Sequence, residues 1–235
     1  MKIQLTQTDI SAARYAGLLY LIIIVFGIGS QVALRGPLVD LSNANGTAEA
    51  ILGAVGAYRL SIAADLVMAM ADAGLAILLY VLFKPVAPTL ALAALIFRLI
   101  QSVLIGANLM NMQAAWLLIS GGQDIGGLAP GQSEALAVLF LSMHAHGYDL
   151  GLVFFGINSL MTALLIWRSG FFHKAISLGL ALAGSVYLVG SSLHFFAPES
   201  YDLFAAAYGI PVLAESAFCV SLLLKGIRWS QQRHA

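Results

Sequence analysis

The sequence predicts an all-α fold, a polytopic membrane protein built as a six-helix bundle, on three observations. Hydrophobic residues make up 60% of the chain and charged residues only 9%, whereas a soluble domain carries roughly a quarter charged residues. The mean hydropathy is +0.92. The apolar residues gather into six stretches, each reaching the ~20 residues that a spanning helix needs.

In chain order the spans are expected near 16–34, 62–83, 89–119, 135–167, 175–196 and 203–224, a single membrane-embedded helical domain over 1–235. The lead-in to the first, with Asp9, is too polar and extended for a cleaved signal peptide, so this span is read as retained. The stretch from Arg35 to Glu49, with Gly36, Pro37, Asn43, Asn45 and Gly46, reads as the most irregular loop. Lys84-Pro85 punctuates the turn between the second and third spans. A second irregular stretch runs from Gly121 to Gly131, and Ser133-Glu134 then reads as a helix start. Arg168-Ser169-Gly170 closes the fourth span, and Lys225 follows the sixth. The two longest spans exceed a bilayer, so their ends should project or tilt. Frequent glycines, among them Gly156, Gly184 and Gly190, suit close helix packing. No span reads as broken by Gly or Pro into half-helices.

If the helices alternate, Lys2, Arg14, Lys84, Arg168, Lys174, Lys225, Arg228 and Arg233 share one side, and Arg35 and Arg59 take the other. The positive-inside rule then predicts both termini in the cytoplasm. Asp40, Glu49, Asp124, Glu134 and Glu199 fall in or beside the outward loops. The formal net charge is zero, which provides no electrostatic footprint for nucleic acid. The lone Cys219 excludes an internal disulfide and any CxxC motif. Hydrolase and nucleotide signatures are absent.

Ionisable groups at membrane depth normally face a partner, a cavity or a ligand. At ~1.5 Å rise per residue, Asp72, Arg98, Asn158 and Glu215 lie about 14–18 Å from the inner anchors, near the midplane. The short turn between spans two and three makes Asp72 and Arg98 the expected structural ion pair, extended by Gln101. Glu215 is left without a cation, a candidate either for a proton-linked role or for a hydrogen bond to a neighbouring helix. The same count places Asp65, Asn108, His144, His146, Tyr148, Asp149 and His194 about 28–36 Å up, an outer tier near the mouth. His144 and Tyr148 share one helix face with Gly151, Phe155 and Asn158, while His146 and Asp149 fall on another. Tyr187, Ser191 and His194 form a stripe on the fifth span. His144, His146, Asp149 and His194 are of types that ligate metal, and opposed histidines are the pattern for haem. Residues two apart on a helix diverge, so His144 and His146 cannot chelate one ion from a regular helix.

Several strings resemble a known family: Ala13 to Tyr20, Tyr58 to Leu60 with Ala64 to Leu66, Phe97 to Gln101 with Ala107 to Leu109, and most specifically His144 to Gly156. They look like the bacterial membrane family catalogued as domain of unknown function 4386. The resemblance spans nearly the whole chain and implies a multi-pass protein of the bacterial cytoplasmic (inner) membrane. It implies no activity or site.

The expected role is a receptor or carrier for a small polar or amphipathic ligand, held in an outward pocket by the outer-tier residues. An intramembrane metal- or haem-dependent enzyme and a noncatalytic structural or partner-binding bundle are the alternatives. The lipid bilayer is the expected partner, with no oligomeric state implied.

Overall fold

A computed structural model describes residues 7–121, 127–128 and 131–225, which are helical throughout apart from turns. Lys2, Asp124, Arg228 and Arg233 lie outside the described residues. Six helical stretches are long and apolar enough to cross a membrane. Their outward faces carry side chains such as Met70, Val103, Met110 and Leu213. Exposed apolar side chains on helices of this length and composition are those of a multi-pass membrane protein.

Helix α1 (Gln7–Ile28) continues as a π-helical segment, Gly29–Arg35. Arg35 was expected in an outward loop as a topology signal, but it is buried, 6% exposed, on this segment. The irregular stretch after it contains a helix of its own, α2 (Ala44–Gly53). The Asn43 side chain caps it, with Oδ1 accepting from the Gly46 amide at 2.9 Å. Before it, the Ser42 hydroxyl and amide bond the Asp40 carboxylate and hold its pKa below the usual range.

Helix α3 (Val55–Phe83) begins seven residues before the expected start of its span. Helix α4 (Pro88–Ile119) opens with proline in the first turn, where its missing N–H removes no bond. Helix α5 (Gln132–Ser169) ends at Gly170, whose φ of 68° is left-handed and suits glycine. Helix α6 (Lys174–Phe196) is capped by the His173 side chain. The last span is interrupted: a helical turn α7 (Tyr201–Phe204), a 3-10 turn at Ala205–Tyr208, α8 (Gly209–Val220), then a π-helical end at Ser221–Lys225. Pro211 sits near this junction and cannot donate a helical hydrogen bond. The first and last spans are therefore both irregular, contrary to the expectation of unbroken helices.

The helices form a ring in the order α1, α3, α4, α5, α6, α8, with α1 returning against α8 and its π-helical end. We call the end that holds Gln7 and Lys225, the first and last described residues, proximal and the other distal. The proximal half is solid: Tyr20, Phe83, Leu165, Phe218 and Leu222 belong to one buried cluster. Cys219 Sγ reaches the Gly17 carbonyl at 3.4 Å, tying the last span to the first. Gly156 and Gly184 let α5 and α6 touch; a Cβ on Gly156 would stand 2.9 Å from the Gly184 carbonyl oxygen. At the helix ends Arg59 lies over Trp116 at 4.9 Å and Lys174 over Trp167 at 4.4 Å, the amphipathic pairs that suit a membrane interface.

A two-chamber cavity as candidate ligand site

Two chambers occupy the distal half of the ring. The distal chamber, about 530 Å³, is walled by Arg35, His144, Asp149, His194, Tyr201 and other residues. The deep chamber, about 500 Å³, extends toward the midplane, where Asp72, Gln101 and Glu215 lie on its wall. Gln31, Tyr148, Leu152, Tyr187 and Tyr208 line both, so the chambers adjoin at a throat made by these five residues.

Below the chambers, Arg98 and Asp72 form a buried ion pair. Arg98 Nε donates to Asp72 Oδ1 at 2.8 Å, and Nη2 approaches the same oxygen at 2.5 Å. Ser102 donates to Asp72 Oδ2 at 2.7 Å, and Asn158 Oδ1 accepts from Arg98 at 3.3 Å. The guanidinium also lies over the rings of Tyr20 and Phe155, at 5.4 and 5.0 Å. Gln101, expected to extend this network, does not: its Oε1 is buried without a hydrogen-bond partner. Ser102, one residue further on, takes that place. Glu215 accepts from the Tyr187 hydroxyl at 2.5 Å.

A second buried pair stands at the distal end. Arg35 Nη1 donates to Asp65 Oδ2 at 2.6 Å, and Ser30 donates to the other carboxylate oxygen. Gln31 Oε1 accepts from Arg35 Nε and Nη2 at 3.0 and 2.7 Å. The π-helical segment makes this possible. With i→i+5 hydrogen bonding, Ser30 and Arg35 come onto one face of the chain toward α3, where a regular helix would turn one of them away.

The outer-tier residues divide. His144, Tyr148, Asp149 and His194 line the distal chamber. Asp65 stands behind Arg35 rather than on the wall. Asn108 is engaged between α4 and α5: its Nδ2 donates to the His144 carbonyl at 2.7 Å, and its own carbonyl faces His144 Nδ1 at 3.3 Å. Gly147 makes room for this, because a Cβ there would meet Asn108 Cγ at 2.7 Å. His146 is exposed and stacks on His194, ring centroids 4.4 Å apart. His194 is thereby held between His146 and Tyr201, the latter at 4.8 Å. Its Nδ1 bonds Asp149, which also accepts from Ser191 at 3.3 Å.

The three histidines do not converge. His144 turns toward α4, while His146, Asp149 and His194 group beside α6. Among the described residues no three His, Cys, Asp or Glu side chains are placed as a metal site requires.

Arg35, Gln31, Ser30, Tyr201 and Tyr208 were not singled out from the sequence as site residues. Arg35 had a signal, since Asp65 at depth needed a cation. Tyr201 and Tyr208 had none, because an aromatic at a membrane end is ordinary.

This arrangement defines a multi-pass helical membrane protein with a largely apolar cavity in its distal half that carries a few polar and charged groups. Over residues 15–226 the chain matches the family described as Domain of unknown function (DUF4386), and it belongs to that family. No curated protein and no solved structure matches it.

Proposed function

We propose that the protein is a receptor or carrier for a small polar or amphipathic ligand, bound in the distal cavity. The observation that carries this reading is the cavity itself. Two adjoining chambers of about 530 and 500 Å³ fall in the ordinary range for small-molecule sites. Their walls combine apolar surface with a few fixed polar groups, the composition that such sites use. A bundle with only a structural role would have no use for this volume.

The protein sits in the bacterial cytoplasmic membrane with both termini in the cytoplasm, so that the cavity faces outward. The charge asymmetry supports this orientation. Lys84, Arg168 and Lys174 lie at the proximal ends of the spans, whereas Arg59 lies at the distal end. Arg35 no longer counts against it, because a buried, ion-paired arginine is not a loop signal.

The test is a thermal-shift screen of amines, sugars, acids and amphiphiles on protein in zwitterionic nanodiscs. A ligand at a hundred times its Kd should stabilise by about 2.7 kcal/mol. The shift should vanish in Leu152→Trp, which fills the throat. Hits indifferent to that substitution, or no hit from any class, would overturn the reading.

A further inference from the structure

This inference rests on the receptor or carrier reading and narrows its ligand. The two chambers differ in charge. The distal one carries Arg35, His144 and His194 against Asp149. The deep one carries Asp72 and Glu215 and no Lys, Arg or His. Asp72 already has its cation in Arg98. Glu215 is 8% exposed and makes no salt bridge among the described residues; the Tyr187 and Tyr20 hydroxyls are its neutral donors, and Arg98, already paired with Asp72, acts on it only from beyond contact. A carboxylate at this depth calls for a positive partner.

Gln101 is a second, independent sign. It is 7% exposed, lines the deep chamber, and leaves Oε1 without a donor. Buried acceptors in native proteins are nearly always satisfied. The same chamber therefore presents a carboxylate without a cation in contact and an amide oxygen lacking a donor. Tyr187 and Tyr208 add aromatic rings to this wall, 6.0 Å apart and steeply inclined to each other. Ile23, Ile24, Met68 and Val212 make much of the rest apolar.

The geometry points to a protonated primary or secondary amine with an apolar body as the occupant of the deep chamber, Glu215 acting as counter-ion and Gln101 as second acceptor. The N–H groups satisfy both oxygens, the tyrosine rings receive the charge, and the aliphatic wall takes the body. An anion would meet two carboxylates and no basic side chain. A neutral alcohol would satisfy Gln101 and leave Glu215 as it was.

The experiment compares three probes of one shape, 4-phenylbutylammonium, 4-phenylbutanol and 4-phenylbutyrate, by calorimetric titration of the protein in zwitterionic nanodiscs. The ammonium probe should bind on the order of 10- to 100-fold more tightly than the other two, as hydrogen bonds to charged groups imply. Glu215→Gln, which keeps an acceptor for Tyr187, should reduce the ammonium probe to the affinity of the alcohol. Gln101→Leu should weaken the ammonium probe by a smaller factor. Equal or better binding of the alcohol or carboxylate would overturn the inference and leave a receptor or carrier of another ligand. Failure of all three probes would also overturn it, and the screen with Leu152→Trp would then judge the broader reading separately. The wild-type comparison stands without the variants should either fail to fold.

Discussion

The proximal and distal halves of the bundle are built from the same six spans and solve opposite problems. In the proximal half the first and last spans touch, through Gly17, Cys219 and Leu222, and large side chains fill the interior. In the distal half the same two spans depart from regular α-helix, one through a π-helical segment and one through a 3-10 turn beside Pro211. Both line the deep chamber, through Ile28 and Val32 on one and Tyr208 and Val212 on the other. The contrast shows how a ring of helices can be sealed at one end and hollow at the other. Small residues close the ring where backbones meet, even though the last span is π-helical there, and at the distal end the π-helical and 3-10 segments carry polar groups inward.

The sharpest way to break this contrast is to strike the two ion pairs, which stand in different halves of the problem. Asp72→Asn leaves the buried Arg98 unpaired near the midplane, with only Asn158 and two ring faces beside it, and is expected to cost about 3–5 kcal/mol. Its yield and melting temperature in detergent should fall well below wild type. Asp65→Asn leaves Arg35 on the wall of a chamber, still bonded to Gln31, and should cost roughly 1–3 kcal/mol. Equal loss in both variants would mean that the bundle depends on the distal pair as much as on the deep one.

Helix contact comes next. Gly184→Val would drive a side chain into the Gly156 carbonyl, 2.7 Å from the Cβ position. Overpacking of this kind costs about 1–3 kcal/mol, and a lowered melting temperature should report it. Gly190→Ala acts on the hollow half instead. A Cβ there would stand 2.9 Å from Tyr208 Cε2 and push the ring at the throat. Ligand binding should weaken several-fold while the melting temperature moves little. The smallest effect is expected from His194→Ala, within about 1 kcal/mol, because Asp149 keeps Ser191 and faces the chamber. A collapse in yield would instead make the His146, His194 and Tyr201 stack a structural element.

Much of this architecture is legible in the sequence because lipid imposes strict rules. Length and hydropathy mark the spans, and an arginine at the midplane needs an acid, which the short turn before Pro88 brings alongside as Asp72. Residue spacing on a helix also placed His144 apart from His146. What escaped is what departs from regular geometry. The π-helical segment brings Arg35 inward, and no propensity announces such a turn. The turns around Tyr201 and Tyr208 likewise carry aromatics into the cavity from a stretch that reads as plain apolar helix. Gln101 shows a different limit, since Ser102 is the neighbour that meets Asp72, and a one-residue rotation on a helix decides which side chain faces the cavity.

The central claim is a cavity in the distal half of the bundle above a packed proximal core. The native Cys219 is buried at 2% exposure, so Cys219→Ser gives a background free of thiols. In that background Leu152→Cys, at the throat, and Leu165→Cys, in the proximal core, are treated with a charged methanethiosulfonate reagent in nanodiscs. Modification of Leu152→Cys with Leu165→Cys unreactive is the predicted result. Equal reactivity at the two positions, or an inert Leu152→Cys in a folded protein, would contradict the account.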